Sequence, residues 1–338
     1  MTVSMRDVAQ AASVSVGTVS NVLNSPDKVS PATIARVHAA IDDLGFVRND
    51  AARQLRAGRS RCVGLVVLDV GNPFFTDVAR AAERRAAEHD LAVLLGTSDE
   101  DEAKERAYVD IFHEQRVFGL LVSPIGDDLG RLETLRRLGT PVVLVDRDGT
   151  GTPFDSVAVD DVEGGRLAVR HLIETGRRRI AFVGGPSTLR QVADRHRGAR
   201  QAVDDAEGVR LEVVETPTLS VLAGRAVGED LLRRAPADRP DGVFCANDLV
   251  AIGMLQAFTM LAGVQVPDDV ALIGYDDIDF ARSAVLPLSS IRQPTARIGA
   301  TAVDLLMSAA AGEPDRRPEN PVFPPELVVR ASTVVQLS

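Results

Sequence analysis

The sequence is poor in cysteine and aromatic residues, and it contains no long apolar run. Tryptophan is absent, and aromatic residues make up only 4% of the 338 residues. The two cysteines, Cys62 and Cys245, lie in apolar, strand-like segments without CxxC spacing, which predicts buried structural thiols in a reducing compartment. No stretch approaches the roughly 18 apolar residues of a membrane helix, and the N-terminus has no apolar signal region. We therefore expect a cytoplasmic protein.

Recognisable catalytic motifs are also missing. The five histidines form no HExxH or triad-like group, and no GxGxxG or Walker A sequence follows the first strand of either half of the α/β region. The sequence therefore predicts that the protein is not an enzyme and that it has no cofactor and no metal site.

Charge is spread unevenly along the chain. The net charge is −10, but residues 1–61 hold eight Lys and Arg against five Asp and Glu, a net of +3, which leaves −13 for the remainder. A basic head on an acidic body confines attraction for phosphates to one end of the molecule.

The first 44 residues have the pattern of three short helices. Ser4 with Asp7 resembles a capping box before a first helix, and Ser15 can cap a second helix over residues 16–24. Ser30-Pro31 opens a third helix that reaches about Leu44. Two helices joined by a tight turn predict a helix-turn-helix, although a generic three-helix domain would have a similar pattern. The outward face of the second helix is small and hydroxylated, as a helix entering a DNA groove requires.

Residues 49–58 connect this head to the rest of the chain and have helix-forming composition, with Asn49 as N-cap and Gly58 as C-terminal stop. The segment offers only about eight helical residues, and isolated helices shorter than roughly 12–15 residues are marginal in water. We therefore expect a hinge helix that forms only when something packs against it. The alternative is an exposed, charged linker.

From Cys62 onward, apolar runs alternate with helix-length segments. Runs that are apolar on both faces are typical of parallel, doubly wound sheets covered by helices. The runs are residues 63–69, 91–95, 119–123, 141–146, 156–160, 179–184, 211–215, 242–246 and 270–274. This many strands predicts two α/β lobes that divide near Asp160, with a ligand cleft at the carboxyl ends of the strands.

We predict three domains: a DNA-binding head (1–47), a hinge helix and linker (48–61), and an effector-binding and dimerisation body (62–338). The first lobe of the body is expected over about 62–159 and 291–319, and the second over about 160–290 and 320–338. This division assigns the late strand near Ser290 and the helix over 298–311 to the first lobe. A strand-like segment over 327–335 closes the chain and leaves no heptad segment, so we expect a homodimer without a tetramer-forming tail.

The amino-acid sequence of the head resembles that of the lactose-repressor (LacI/GalR) family of bacterial transcription regulators. The resemblance lies in residues 7–12, in Ser13-Val-Ser-Val-Gly-Thr-Val-Ser-Asn-Val-Leu-Asn24, in Leu44-Gly-Phe46 and in Ala52-Arg-Gln-Leu-Arg56. It implies that the second helix reads the major groove and that Leu55 of the hinge wedges into the minor groove at the operator centre, as apolar side chains do elsewhere. The residues predicted to contact DNA are Ser15, Val16, Gly17, Thr18, Ser20, Asn21, Asn24, Arg48, Arg53, Leu55 and Arg56. Arg48 replaces a proline common in the family, and Asn21 replaces the Arg or His of many relatives.

The resemblance continues through the body, for example in Gly71-Asn-Pro-Phe-Phe75, Ala246-Asn-Asp248 and Gly274-Tyr-Asp-Asp277. By position it implies the effector contacts Phe74, Phe75, Asp146, Arg195, Asn247 and Asp276. Carboxylates and an amide suit sugar hydroxyls, Arg suits a planar or anionic group, and Phe supplies a flat wall. A loop ion pair or a helix cap is the plainer interpretation of each residue. Leu219 stands where purine-binding relatives have an aromatic, which favours a sugar or related polyol.

These observations predict a DNA-binding transcriptional regulator, a repressor, that is controlled by a small molecule and acts as a dimer on two-fold symmetric operator DNA. The main alternative is a solute-binding receptor of a transport system, which shares the two-lobed body but would need a signal peptide and has no use for residues 1–58. A sugar-phosphate or nucleotide enzyme is a third possibility, and a turnover screen with metal and ATP would reveal it.

Overall fold

The computed structural model describes residues 3–46, 60–261, 264–313 and 316–334. Two compact units divide the chain, Met1–Ser60 and Arg61–Ser338. The predicted hinge over residues 49–58 lies outside the described residues, and so do the predicted DNA contacts Arg48, Arg53, Leu55 and Arg56.

The head contains the three helices that its capping residues predict: α1 (Met5–Ala11), α2 (Val16–Asn24) and α3 (Pro31–Leu44). The Ser15 hydroxyl accepts a hydrogen bond from the Thr18 backbone N–H at 3.0 Å, which caps α2. A glycine at φ +60° follows α3 and takes the left-handed conformation that ends a helix. A small apolar core holds the helices together, consisting of Val8, Ala9, Ala12, Val19, Val22, Val37 and Ala40.

Two sheets make up the body, and each has six strands among the described residues. The first sheet contains β1 (Cys62–Val67), β2 (Ala92–Thr97), β3 (Gly119–Val122), β4 (Val142–Val145), β5 (Asp155–Val159) and β11 (Val322–Phe323). The second contains β6 (Arg179–Val183), β7 (Arg210–Val214), β8 (Gly242–Cys245), β9 (Ala271–Asp276), β10 (Ser289–Arg292) and β12 (Glu326–Val328). The orders are β11-β5-β4-β3-β1-β2 and β12-β10-β9-β8-β6-β7. All pairings are parallel except that between β10 and β12.

Helices alternate with the strands, as the sequence predicts for a doubly wound fold. They are α4 (Pro73–Ala87), α5 (Glu102–Glu114), α6 (Gly130–Arg137), α7 (Asp161–Glu174), α8 (Arg190–Asp204), α9 (Val221–Arg233), α10 (Asp248–Leu261), α11 (Asp279–Ser283) and α12 (Thr295–Ala311). The central strands β3, β4, β8 and β9 are buried along their whole length because helices cover both faces of each sheet. Each sheet with its helices is called a lobe below.

The structure corrects the predicted assignment of the chain's last strands. Residues 289–292 form β10, which pairs with β9 and therefore belongs to the second lobe, not the first. Conversely, Val322–Phe323 pairs with β5 in the first lobe. The Ser290 hydroxyl donates to the buried Asp248 carboxylate at 2.7 Å, a contact that anchors β10 in the second lobe and that apolar periodicity does not reveal. The helix α12 contacts β3, β4 and β5, so it does return to the first lobe as predicted.

The final strand is also shorter than the strand-like run over 327–335 suggests. β12 ends at Val328, and the chain then forms a turn. In this turn the Ser332 hydroxyl adds to the backbone hydrogen bonds: it donates to the carbonyl of Leu272 and accepts from the N–H of Ser289. Cys245 is buried, as predicted, whereas Cys62 is only half-buried. Across the described ranges, the helices are all too short or too polar to cross a membrane.

Candidate functional site

A cleft opens between the two lobes, where strands of both sheets end. Asp146 directly follows β4, Asn247 is the second residue after β8, and Asp276 ends β9. Asp146 and Asp276 both have positive φ, 58° and 107°. Carboxyl ends of parallel strands are where open α/β sheets bind ligands, so this cleft is the candidate functional site.

All six side chains that the sequence analysis assigns to the effector line this one cleft: Phe74, Phe75, Asp146, Arg195, Asn247 and Asp276. Eight more residues complete the lining, which the sequence analysis did not name as contacts: Leu68, Asp69, Asn72, Glu100, Leu189, Gln191, Val192 and Leu219. Asp69, Asn72 and Glu100 lie just after β1 and β2, so the strand-end rule could have found them. Gln191 lies in the first turn of α8, where no strand-end signal applies.

Arg195 on α8 is the only cation among the residues that line the cleft. Its side chain is buried, and its Nε donates to Asp161 Oδ1 at 2.8 Å while Nη1 donates to the carbonyl of Ala246 at 2.8 Å. The guanidinium lies 3.7 Å from the ring centroid of Tyr275, a cation–π contact. Burial acts to lower the pKa of Arg195, but the negative charge of Asp161 holds the pKa above its ordinary value.

Two glycines bring α7 and α8 close enough to place Arg195. A Cβ on Gly165 would lie 2.0 Å from the carbonyl oxygen of Arg195, and a Cβ on Gly198 would lie 1.8 Å from the carbonyl oxygen of Val162. Neither position can accept a side chain without moving the helices apart. This close helix contact fixes Arg195 against Asp161 at the start of α7.

The two lobes are hydrogen-bonded to each other at the cleft. Asn72 of the first lobe donates to Asp276 Oδ2 of the second at 2.9 Å. Gln191 Nε2 of the second lobe donates to the Asp146 carbonyl at 3.0 Å and to Asp146 Oδ2 at 2.9 Å. Because these bonds join residues on different lobes, any opening of the cleft must break them.

Two carboxyls of the cleft, Asp146 and Asp276, are buried, and burial raises their pKa values. The pKa of Asp146 rises to about 8 because of burial and of the nearby Asp161 charge, with Arg195 and Gln191 acting in the opposite direction. The pKa of Asp276 rises to about 6, again mainly through burial, while Arg195 and the hydrogen bonds from Asn72 and Gln293 limit the rise. At neutral pH Asp146 therefore keeps a proton that it would lose in water.

Three residues of the lining also stabilise the surrounding fold: Asn247, Phe74 and Phe75. Asn247 Oδ1 accepts from the Val250 N–H at 2.9 Å, so it caps α10, and its Nδ2 donates to the Leu219 carbonyl. Phe74 and Phe75 pack edge to face with centroids 4.9 Å apart and are almost fully buried. Asn247 therefore caps α10 and also lines the cleft.

In the head, most of the described residues predicted to contact DNA lie on the exposed face of α2. Ser15, Val16, Gly17, Asn21 and Asn24 are exposed, whereas Thr18 and Ser20 are half-buried. Thr18 and Ser20 are partly engaged with their own helix: the Thr18 hydroxyl shares a hydrogen bond with Ser15, and Asn24 donates to the Ser20 carbonyl at 2.8 Å. Over the described ranges, no cluster of three or more His, Cys, Asp or Glu could hold a metal ion.

Comparison with known proteins identifies the family. Residues 4–49 match the model of bacterial regulatory proteins of the lacI family, and residues 169–333 match a periplasmic binding protein-like domain. The chain is 36% identical to the ribose operon repressor of Bacillus subtilis over 92% of each chain. It is 33% identical to the HTH-type transcriptional repressor PurR of Photobacterium profundum over 97% of this chain and 98% of that one. The protein belongs to the lacI family.

The lacI-family fold extends over the whole chain. A crystal structure of the lac repressor dimer bound to operator and the anti-inducer ONPF superposes with a TM-score of 0.84 at 26% identity, covering 99% of this chain and 100% of that one. The helical head with two α/β lobes is therefore the family architecture, and the predicted resemblance is confirmed.

Proposed function

We propose that this lacI-family protein is a transcriptional repressor whose head binds operator DNA and whose cleft binds a sugar or related polyol that controls DNA binding. Homologues named as repressors along nearly the full chain support the regulatory role. The observation that carries the effector proposal is the meeting of Asp146, Asp276 and Arg195 in one buried cleft. Carboxylates accept from hydroxyl groups and a guanidinium donates to them, while Phe74 and Phe75 offer an apolar wall for a sugar ring.

The DNA-binding part of the proposal rests on the head. The exposed, small side chains of α2 allow close approach to a groove, and the N-terminus of α2 is accessible to phosphates because Ser15, Val16 and Gly17 are exposed. The proposed contacts are those that the resemblance implies, including Arg48, Arg53, Leu55 and Arg56 outside the described residues. We also propose the division into a head (1–47), a hinge (48–61) and a body (62–338).

We further propose a homodimer formed through the body. Large apolar side chains are exposed on both lobes, with Leu94 and Leu95 on the edge strand β2 and Leu222 and Phe280 on the second lobe. Leu222 is 78% exposed and Phe280 60% exposed. An apolar edge strand is a site of association unless it is covered, so a second copy of this chain is the proposed cover.

The effector proposal is tested by calorimetry with a panel of sugars and polyols against the wild type, Arg195→Ala and Arg197→Ala. Arg197 lies on the same helix but its side chain is 56% exposed and pairs only with Asp194, which makes it the matched control. We expect a panel member to bind the wild type and Arg197→Ala alike and to lose at least about tenfold in affinity for Arg195→Ala, since a buried charged partner is removed. Equal affinity for all three proteins would show that the cleft is not the effector site.

A further inference from the structure

Two buried oxygen atoms in the cleft have no hydrogen-bond partner among the described residues: Asp146 Oδ1 and Gln191 Oε1. Their residues are only 4% and 6% exposed, and both line the cleft. The orientation of the Gln191 amide follows from its contacts, since Nε2 faces two acceptors on Asp146 and Oε1 must therefore be the other atom. Gln191 Oε1 is an acceptor, and Asp146 Oδ1 becomes one when its carboxyl ionises, so a ligand that satisfies both atoms must supply donors.

The ionisable groups of the cleft are also unbalanced. Four carboxyls line it, Asp69, Glu100, Asp146 and Asp276, against the single guanidinium of Arg195. Arg195 is already paired with Asp161 at 2.8 Å, a fifth carboxyl that lies behind the lining. Burying unpaired carboxylates is costly, so this cleft favours a cation and disfavours an anion.

Glu100 and Asp69 form a second acidic edge of the same cleft. Within the described ranges neither carboxyl has an ion-pair partner, and Asp69 Oδ1 accepts only from the Gly71 N–H at 2.7 Å. The pKa of Glu100 rises to about 7 because of its burial and of the Asp69 charge. The first lobe thus adds negative potential to the cleft without adding a cation to balance it.

We infer that the cleft binds a polyol that carries a cationic amino group, such as an amino sugar, with the ammonium donating to Asp146 Oδ1 and Gln191 Oε1. An ammonium supplies three donors and a charge to Asp146 Oδ1 and Gln191 Oε1, the two buried oxygens of the lining that lack a partner among the described residues. A phosphate or carboxylate ligand would meet four carboxyls and one cation, Arg195, which is already paired with Asp161. The inference rests on the proposed function, because it names the chemical class of the molecule that occupies the proposed effector cleft.

The test uses matched ligands that differ in the amine. D-glucose, D-galactose and D-mannose are compared by calorimetry at neutral pH with their 2-amino and 6-amino derivatives, and with the N-acetylated 2-amino sugars, which keep the substituent but lose the charge. We expect at least one amine to bind about tenfold more tightly than both its parent sugar and its N-acetyl form, as a charge-assisted contact to a buried carboxylate requires. D-glucose 6-phosphate should not bind.

Asp146→Asn then separates charge from shape. Its amide oxygen can still accept a hydrogen bond, so a neutral sugar should lose little affinity, whereas the preference for the amine should disappear. Asp148→Asn is the matched control, since Asp148 is exposed two residues further on, outside the cleft lining, and its turn contacts with Thr150 need only an oxygen acceptor. This control should keep the full preference.

Proton release supplies a readout that a purely structural role of Asp146 would not change. Asp146 is largely protonated in the empty cleft at neutral pH, because burial raises its pKa to about 8. An ammonium that pairs with the carboxylate must displace that proton. Calorimetry in buffers of different ionisation enthalpy should therefore detect release of a proton from Asp146 on binding to the wild type, and this component should be missing in Asp146→Asn.

The inference is overturned if no amine binds, if a parent sugar binds as tightly as its amine, or if Asp146→Asn retains the preference. The proposed function fails in a different way. A neutral sugar that binds without any preference for the amine, but whose binding is lost in Arg195→Ala, would leave the cleft as effector site and reject only the cationic class. Binding that Arg195→Ala does not affect would reject the cleft itself.

Discussion

Arg195 and Asp161 form a buried ion pair, with Arg195 Nε 2.8 Å from Asp161 Oδ1 and both side chains less than a tenth exposed. The pair joins the first residue of α7 to the second turn of α8, and it places the guanidinium 4.0 Å from Asp276 Oδ1 in the cleft. A single contact therefore links the packing of the second lobe to the geometry of the proposed ligand site.

We expect Asp161→Asn to lower the free energy of unfolding by about 3 kcal/mol, because it leaves a buried guanidinium without its closest counter-charge. Asp230→Asn is the control, since its ion pair with Arg233 is exposed on both sides and should contribute less than about 1 kcal/mol. Urea unfolding of the three proteins measures the difference. Equal losses of unfolding free energy in the two variants would show that the buried ion pair stabilises the fold no more than the exposed one does.

The second prediction concerns pH. Burial raises the pKa of Asp146 from 3.8 to about 8, so the folded protein retains a proton that the unfolded chain releases. The stability that this proton contributes is fully present below pH 3.8 and is lost as the pH rises towards about 8. Relative to Asp146→Asn, which cannot titrate, the ligand-free wild type should become less stable between about pH 5 and about pH 8.

Urea unfolding of the wild type and Asp146→Asn at several pH values within this range tests the prediction. A constant difference in the free energy of unfolding would mean that Asp146 titrates as it does in water. Asp148→Asn serves as the control for a carboxyl-to-amide change outside the cleft lining.

The third prediction is that the protein is a dimer in solution. Sedimentation equilibrium should give twice the chain mass, and a double variant, Leu95→Asp with Phe280→Asp, should be a monomer, because it places charges on the exposed apolar surface of both lobes. Leu138→Asp is the control: this residue is 67% exposed but precedes β4, on the far side of β1 from the edge strand β2. A monomeric or tetrameric wild type, or a double variant that stays dimeric, contradicts the prediction.

The fourth prediction concerns the hinge. Leu55 is the one large apolar side chain among the Ala, Arg and Gln residues of its segment. If it wedges into the minor groove, Leu55→Ala should weaken binding to operator strongly and to a scrambled duplex little. Arg56→Ala should weaken both and reduce the salt dependence, because it removes a phosphate contact. Titrations of both variants against both duplexes at two salt concentrations test this prediction. Equal effects of Leu55→Ala on the two duplexes would show that Leu55 is not a minor-groove wedge and that the segment is only a tether.

Much of this fold is predictable from local sequence signals. Ser15 and Ser30 place the starts of α2 and α3, and the apolar runs place the strands within one or two residues, because both signals depend on neighbours in the chain. The lobes to which β10 and β11 belong were not predicted correctly, because the assignment depends on partners such as Asp248 that lie far away in sequence.

The candidate site, like the fold, was predictable from the sequence only in part. The strand-end rule and the family resemblance together brought six residues to one cleft, and that placement is what the structure contains. Gln191 and the acidic excess of the cleft could not be predicted in the same way. They depend on how α8 crosses the cleft and on which carboxyl oxygens keep a partner, and no periodicity in the sequence carries that information.

The central claim is that a ligand in the cleft controls DNA binding by the head. Its most direct test is the affinity for an operator duplex, selected from a random library with the wild type, with and without the tightest-binding panel member. The wild type should change its operator affinity by at least about tenfold when the ligand is added, as typical allosteric coupling allows. Arg195→Ala should bind the operator as the wild type does without ligand and should not respond. A wild type that does not respond, or an Arg195→Ala that responds fully, would contradict the account.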